Sequence, residues 1–173
     1  MPSEVETIYL TVSGAGTARR VPELIRALLT LDLRIITLLT PNAQQIVSPR
    51  ELALVPGHRI VESYFDDAIL PRPADGLVVV APCSFTTLNK LAQGIADTLP
   101  LSIASEAIGR GNPVVVACSL NDPLWQHPRA QTSVAELRSW GVRVLDPVGD
   151  ERGYLTMTDT ATIVAQCRDA LHR

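Results

Sequence analysis

Short apolar runs rich in β-branched residues alternate with stretches of helical period along this chain of 173 residues. Alternation of this kind is typical of βαβ units, in which helices connect and cover parallel strands. We predict six strands, at residues 8–12, 34–39, 59–62, 77–80, 113–117 and 142–145. The pattern therefore predicts a doubly wound, three-layer α/β/α fold around a six-stranded parallel sheet.

Apolar residues between the predicted strands recur at intervals of three and four, which places them on one face of a helix. Two such sets are Val21, Leu24, Ile25 and Leu28, and Leu88, Leu91, Ala92 and Ile95. Further helices are predicted at residues 101–108, 129–140 and 160–171. Gly94 falls inside the second set, so we expect a close packing contact that offsets its low helix propensity.

Two irregular stretches interrupt this pattern. Residues 66–75 contain Pro71 and Pro73, each of which removes a backbone donor, so we predict a loop that could belong to a functional site. Residues 146–153 precede the last predicted helix, and both a mobile flap and a plain surface loop fit their composition.

Composition favours one globular domain over residues 1–173. Hydrophobic residues make up 46% of the chain and charged residues 19%, which is enough apolar surface for one core. The formal net charge is -3 and Lys90 is the only lysine, which argues against binding to nucleic acid. Neither a signal-peptide pattern nor a membrane-spanning apolar run is present. We predict a cytoplasmic protein that binds neither nucleic acid nor membrane.

The cysteines give no sign of a metal site. Cys83, Cys118 and Cys167 are widely spaced and do not follow the spacing of metal ligands. Free cysteine usually behaves as a small buried apolar residue. We therefore predict three buried free thiols and no bound metal.

Small residues follow the first predicted strand in the run SGAGTA at residues 13–18. Such a turn lets backbone N–H groups approach an anion at the start of a helix. It is not a dinucleotide fingerprint, because Arg19 stands where the third glycine would be and no acidic residue ends the second strand. The run favours a phosphate site, although a plain tight connection also fits it.

Polar side chains follow two other predicted strands. Thr40 and Asn42 come after the second strand, and Ser84, Thr86 and Thr87 come after the fourth, where Ser84 is placed to cap a helix. Open parallel sheets bind ligands at the carboxyl ends of their strands. We therefore expect these residues to share one anion-binding site with the turn at residues 13–18.

Two segments of the chain carry recognisable motifs: the run APCSFTTLNKLAQGIADTL at residues 81–99 and the run CSLNDPLWQHP at residues 118–128. The first is similar to a Pro-Ala-Ser-Ala-Asn-Thr segment and the helix after it, and the second to a Pro-x-Met-Asn-x-x-Met-Trp motif, with Asn121 and Trp125 matching. Both motifs belong to the flavin-containing cysteine decarboxylases, which the chain therefore resembles; this family includes phosphopantothenoylcysteine decarboxylase and the peptidyl-cysteine decarboxylases of lantibiotic maturation. The similarity extends over residues 8–147.

The resemblance implies a flavodoxin-like, Rossmann-type fold and FMN bound at an interface of a homotrimer, with trimers able to form dodecamers. It implies flavin oxidation of a cysteine thiol, followed by loss of the neighbouring carboxylate, on a small-molecule or peptide thiol substrate. Asn121 would lie beside substrate and flavin. Carried over by motif and position, the cofactor-binding residues would be Ser13, Gly14, Ala15, Thr40, Asn42, Ser84, Thr86 and Thr87.

The chain departs from the family pattern at the catalytic histidine. Asp67 or Ala68 occupies the expected place, and His58 lies too early in the chain unless the following loop is an insertion. Thr86 replaces the asparagine of the first motif. We take Asn121, Asp67 and His58 as candidate catalytic residues. Three functions stay open: an FMN-dependent cysteine decarboxylase, a regulatory or assembly subunit, and a flavin prenyltransferase.

Overall fold

Six parallel strands form the central sheet of the computed structural model, which describes residues 5–172. The strands are β1 (Thr7–Val12), β2 (Arg34–Leu39), β3 (His58–Ile60), β4 (Leu77–Cys83), β5 (Val114–Cys118) and β6 (Arg143–Leu145). Their order in the sheet is β3-β2-β1-β4-β5-β6. The chain reverses its direction of winding between β1 and β4, which opens a crevice at their carboxyl ends. The predicted flavodoxin-like, doubly wound fold is confirmed.

Helices cover both faces of the sheet. They are α1 (Val21–Leu28), α2 (Pro49–Leu52), α3 (Phe85–Ala92), α4 (Leu99–Arg110), α5 (Asp122–Trp125), α6 (Pro128–Ser139) and α7 (Thr160–Leu171). A short 3-10 helix, Gly16–Arg20, precedes α1. No helix within residues 5–172 is long and apolar enough to cross a bilayer.

The strands divide the core into two apolar layers. In β1, Ile8 and Leu10 pack with the buried sides of α1 and α7, whereas Tyr9 points to the layer formed with α3, α4 and α6. All six residues of β1 are buried. Burial on both faces explains why the strands read as continuous apolar runs and not as an alternating pattern.

The end of α3 corrects two predictions. The helix stops at Ala92, and Gly94 follows it with a φ of 69°, a left-handed conformation that favours glycine. The amides of Gly94 and Ile95 donate to the carbonyls of Leu91 and Lys90, at 3.3 and 2.9 Å, and so close the last turn. Gly94 therefore terminates the helix, and Ile95 is 42% exposed and not part of the buried face.

The stretch at residues 146–153 contributes to a small antiparallel hairpin. Its strands are β7 (Val148–Gly149) and β8 (Leu155–Thr156). In the turn between them, the Oδ1 atom of Asp150 accepts hydrogen bonds from the amides of Arg152 and Tyr154, at 2.8 and 2.9 Å. The stretch is therefore more regular than the sequence indicates.

Candidate functional site

A cavity of about 540 Å³ opens at the carboxyl ends of β1, β4 and β5. It lies at the reversal point of the sheet, where open α/β folds bind their ligands. Five segments form its walls: the turn after β1, the loop after β2, the start of α3, the chain between β5 and α5, and strand β8. The lining residues are Gly14, Ala15, Gly16, Thr17, Asn42, Ser84, Phe85, Thr86, Ser119, Leu120, Asn121, Leu124, Leu155 and Thr156.

The turn after β1 packs against the loop after β2 at Gly14. A Cβ atom on Gly14 would lie 2.5 Å from the Cβ of Asn42, which is closer than real Cβ atoms approach, and 3.1 Å from its carbonyl carbon, which is a tight contact. A Cβ atom on Gly16 would instead meet nothing within 4 Å. Gly14 is therefore needed to bring two walls together, whereas Gly16 faces open space in the cavity.

The start of α3 supplies unpaired backbone donors. Ser84 caps the helix, because its Oγ atom accepts from the amide of Thr87 at 3.3 Å. The first amides of an α-helix have no acceptor inside the helix. Within residues 5–172, the amides of Phe85 and Thr86 also have no acceptor elsewhere. This end of the cavity therefore suits an anion such as a phosphate.

Three residues predicted to touch the cofactor lie behind the lining. Ser13 is fully buried; its hydroxyl donates to the carbonyl of Pro82 at 2.6 Å and accepts from the amide of Ser84 at 2.8 Å. The Oγ1 atom of Thr40 accepts from the amide of Ala43 at 3.2 Å. The Oγ1 atom of Thr87 accepts from the Ser84 hydroxyl at 3.2 Å. Their hydroxyls hold the walls in place, and the direct cofactor contact of Ser13, Thr40 and Thr87 stays a prediction.

Asn121 lies on the wall between β5 and α5. Its Oδ1 atom accepts from the amide of Leu124 at 3.1 Å and so caps α5. That hydrogen bond occupies the oxygen of the side-chain amide and leaves the Nδ2 group, which carries two N–H donors. Asn121 therefore combines a structural cap with a free donor beside the cavity.

Thr17 and Ser119 join two walls and were missed by sequence reasoning. Their hydroxyl oxygens lie 2.7 Å apart, and either one can be the donor. Whichever hydroxyl donates, the other keeps its proton, so the pair retains one O–H group for a ligand. Both residues stand in segments that the sequence singles out, next to Gly16 and Leu120. Their hydroxyl groups, in segments that follow predicted strands, could have marked them as candidate site residues.

His58 is far from this cavity. It begins β3 opposite Ile35, at the amino end of the sheet. Its Nδ1 atom lies 2.7 Å from the hydroxyl of Thr37, and its Nε2 atom lies 2.9 Å from the carbonyl oxygen of Leu52. Both ring nitrogens thus have structural partners, and His58 does not line the cavity of its own chain, so its catalytic role stays a prediction that this geometry does not favour.

Asp67 lies on the loop of residues 61–76, between β3 and β4, and its side chain is exposed. It does not line the cavity of its own chain. The structure therefore brings together Gly14, Ala15, Asn42, Ser84, Thr86 and Asn121, and leaves Asp67 outside.

The cavity lining is neutral. It contains no acidic, basic, cysteine or tyrosine side chain from residues 5–172. Cys83 and Cys118 stand directly before Ser84 and Ser119, but both are fully buried. Burial raises the pKa of the Cys83 thiol well above its usual value and that of Cys118 to about 12. The nearby thiols are therefore protonated, and the attraction for an anion comes from backbone donors.

The fold and the cavity together define an α/β protein that binds an anionic cofactor at the carboxyl edge of its sheet. Residues 2–172 match the Flavoprotein family, so the chain belongs to that family. Among residues 5–172, no three or more His, Cys, Asp or Glu side chains cluster as metal ligands would.

Curated relatives carry decarboxylase names. The chain is 27% identical to the probable phosphopantothenoylcysteine decarboxylase of Streptococcus mutans, covering 95% of this chain and 98% of that protein. It is 27% identical to phosphopantothenoylcysteine decarboxylase of Mus musculus, covering 99% and 91%. It also matches the coenzyme A biosynthesis bifunctional protein CoaBC of Borreliella burgdorferi, at 21% identity over 89% of this chain, but spans only 40% of that protein.

Solved structures have the same fold. The chain superposes on the PPC decarboxylase mutant complexed with pantothenoylaminoethenethiol with a TM-score of 0.81 at 21% identity, covering 98% of this chain and 100% of the other. It superposes on the FMN-dependent cysteine decarboxylase SpaF with a TM-score of 0.77 at 26% identity, covering 97% and 98%. The resemblance of the two sequence segments is thus confirmed at the level of the family.

Proposed function

We propose that this chain binds FMN in the cavity at the carboxyl end of the sheet and catalyses oxidative decarboxylation of a cysteine carboxylate. One observation carries the proposal. Ser84 and Thr86, from one signature segment, and Asn121, from the other, line the same cavity although they are far apart in the chain. The decarboxylase names of relatives that are covered nearly end to end support the same reaction.

The cavity suits the size and chemistry of FMN. Its volume of about 540 Å³ falls in the range usual for cofactor pockets. The amides of Phe85 and Thr86 would hold the phosphate, with the turn at Gly16 beside them. The ring of Phe85 and the side chains of Leu120 and Leu124 offer apolar surface for the isoalloxazine ring.

The protein positions the substrate, and the cofactor supplies the oxidation. When bound, FMN would supply a two-electron oxidant that takes up two electrons and two protons as the cysteine CH2–SH group becomes a thioaldehyde, whose C=S group would accept the electron pair left when the carboxylate departs as carbon dioxide. The Nδ2 group of Asn121 donates a hydrogen bond to the thiolate or the carboxylate. The amide of Leu124 fixes this orientation by occupying Oδ1. The substrate is a small-molecule or peptide thiol.

A second copy of the chain would complete the site. The lining offers no acid or base, whereas Asp67 lies on an exposed loop with Tyr64, 43% exposed, and Phe65, 84% exposed. Exposed apolar side chains on one loop favour a protein–protein contact. We infer a homotrimer, or a dodecamer assembled from trimers, in which this loop brings Asp67 to the cavity of a neighbouring copy. Light scattering of the purified protein, with Asp67→Asn assayed in parallel, tests this arrangement.

A cytoplasmic location fits the thiols. Cys83, Cys118 and Cys167 are all free and buried. Unpaired cysteines are usual in proteins of reducing compartments. We therefore retain the cytoplasm as the proposed location.

The deciding experiment begins with the absorbance spectrum of the purified protein and mass spectrometry of any ligand that denaturation releases. Protein loaded with FMN is then incubated with cysteine-terminated peptides and with phosphopantothenoylcysteine. We expect one substrate class to lose carbon dioxide, with or without two hydrogens, and Asn121→Asp to slow the loss by about 100-fold or more. Bound flavin without any decarboxylation would remove the reaction and leave the cofactor site.

The second candidate function is a regulatory or assembly subunit. The neutral lining favours it, because a chain that has lost its acid or base keeps the fold without the reaction. A protein that gains no flavin on reconstitution and forms a stable complex with another chain would support this function. A change in the bound flavin's spectrum that requires dimethylallyl phosphate would instead support a flavin prenyltransferase.

A further inference from the structure

We propose that Arg20 is a positioning residue that holds the β7–β8 hairpin in place as a wall of the cavity. Arg20 is the last residue of the 3-10 helix after β1 and does not itself line the cavity. The proposal rests on the proposed function only in taking this cavity as the FMN site.

The contact is made by both ends of the guanidinium group. The Nη1 atom of Arg20 donates to the carbonyl oxygen of Met157 at 2.9 Å, and Nη2 donates to that of Thr158 at 3.0 Å. Two parallel donors from one planar group fix direction as well as distance. Arg20 thus binds two consecutive carbonyls that directly follow β8.

The hairpin is short and forms a sheet of its own within residues 5–172. β7 and β8 contain two residues each and pair only with each other within the described chain. Val148 is 43% exposed and Tyr154 68%, so these side chains bury little apolar surface. An isolated two-stranded hairpin is marginally stable in water. Its position therefore depends on the residues that follow it, where Met157 is buried and Arg20 binds.

This anchor connects two parts of the cavity lining that are far apart in the chain. Leu155 and Thr156 of β8 line the cavity, and Thr17, in the same 3-10 helix as Arg20, lines it as well. The Thr17 hydroxyl is hydrogen-bonded to Ser119 at the end of β5. One short helix thereby ties the hairpin to the central sheet. Loss of the Arg20 contact would free the hairpin without removing any group from the lining.

The test compares neighbouring arginines. Arg20→Met removes both hydrogen bonds but keeps the aliphatic stem, and Arg20→Lys can restore only one donor position. Arg19→Met is the matched control, because Arg19 has the same charge, is exposed, and makes no side-chain hydrogen bond within residues 5–172. Hydrogen exchange of the amides of Asp150 and Tyr154 reports on the hairpin, and amides of β1 and β4 report on the sheet.

We expect Arg20→Met to speed exchange in the hairpin and FMN release by about 10-fold, the effect of losing a hydrogen bond to a charged group. Exchange in β1 and β4 should be unchanged, Arg20→Lys should be intermediate, and Arg19→Met should match the wild type. If the enzyme is active, KM of Arg20→Met for the thiol substrate should rise, and its kcat should stay within about 2-fold of the wild-type value. This pattern is expected when a variant loses binding equally in the ground state and the transition state.

Two results would overturn the proposal. Hairpin exchange that does not change in Arg20→Met would show that the contact does not hold the hairpin. Exchange that rises equally in hairpin and sheet would show only a general loss of stability. If the wild type binds no FMN, the proposed function fails, but the exchange measurement on the same protein still decides the role of Arg20.

Discussion

The two ends of the central sheet both carry a cavity, and their chemistry is opposite. At the carboxyl end, the cavity of about 540 Å³ is bordered by the starts of α3 and of the 3-10 helix. At the amino end, a cavity of about 250 Å³ is bordered by Gly111 and Gly141, which follow α4 and α6, and by Trp140 and Arg143.

Helix starts present free N–H groups and helix ends present free carbonyls, so the first cavity favours anions and the second favours cations. In a parallel α/β fold the chain direction decides this, because every connecting helix begins near the carboxyl end of the strand before it. At the amino end, Arg143 already donates to Gln166 and to the carbonyl of Asp169, at 3.1 Å each. The difference favours the carboxyl end as the proposed phosphate site.

The variant Asn121→Asp, at the carboxyl-end cavity, is expected to have the largest effect and tests the difference between the two ends most directly. A carboxylate caps a helix as well as an amide does, so α5 and the stability should be preserved. The change removes the Nδ2 donor and adds negative charge beside the thiolate or carboxylate, and we expect kcat to fall by about 100-fold or more, as for other lost transition-state donors.

Steady-state kinetics and a melting curve check the result for Asn121→Asp. Trp140→Ala, at the amino-end cavity, is the comparison variant and should leave kcat and FMN affinity unchanged. Near-normal activity in Asn121→Asp would mean that Asn121 is only a cap.

The next largest effect is expected at the turn after β1. Gly14→Ala forces a Cβ atom into the Cβ and carbonyl carbon of Asn42, and a backbone atom cannot move aside as a side chain can. Overpacking of this kind costs about 1–3 kcal/mol. We expect FMN affinity to fall by about 10-fold, the equivalent of 1.4 kcal/mol.

A fluorescence titration with FMN measures the effect of Gly14→Ala. Gly109→Ala, in α4 and outside the cavity lining, is the matched control, since a Cβ there meets no protein atom within 4 Å. Equal affinities for the two variants would show that the packing of Gly14 against Asn42 does not shape the site.

At the amino end, a change should affect stability and not activity. His58→Leu removes the partners of the Thr37 hydroxyl, which is buried, and of the Leu52 carbonyl. Leaving a buried polar group without a partner costs about 1–3 kcal/mol. Urea unfolding should show that loss while kcat of the folded enzyme stays the same. Lost activity at unchanged stability would restore His58 as a catalytic candidate.

The strands of the sheet were easier to predict from the sequence than the atoms of the site at its carboxyl end. The periodicity predicts all six strands of the sheet, and the signal is clearest in β1, β2, β4 and β5, whose burial on both faces leaves a local apolar run that a sequence window can read. Strand β4 runs on to Cys83, beyond the predicted end at residue 80, since Pro82 and the residues beside it look like a turn from composition alone. Element types were easier to predict than their ends.

Within the site, residue type predicts which segments form the cavity walls, but it does not predict which of their side-chain atoms face the ligand. Ser13 and Thr87 look like phosphate ligands, yet their hydroxyls bond to Pro82 and Ser84 behind the lining. Leu155 and Thr156 could not be predicted, because β8 reaches the cavity through tertiary placement and not through a local pattern. Short polar side chains serve equally as caps and as ligands, and only the structure separates the two uses.

The smallest effect expected concerns the thiols beneath the carboxyl-end cavity. Burial raises the pKa of Cys118 to about 12, and the nearby carboxylate of Asp146 adds to the shift. Burial raises the pKa of Cys167, under the opposite face, to about 12 as well. In the unfolded chain these thiols ionise near pH 8.5. The unfolded state therefore binds fewer protons above that pH, and stability falls as pH rises from there towards 12.

Each such thiol contributes at most about 1.4 kcal/mol per pH unit to this loss, and only a fraction of that at pH 9. Above about pH 8.5, Cys118→Ala should reduce the decrease in unfolding free energy per pH unit by the contribution of one thiol. Cys167→Ala should reduce it by the same amount. Urea unfolding between pH 7 and 10 measures the slopes, after each variant's own loss at pH 7 is subtracted. A smaller effect of Cys118→Ala than of Cys167→Ala would mean that the Cys118 thiol already ionises in the folded protein. The residue beneath the cavity would then carry a negative charge, whereas Cys167 would stay neutral.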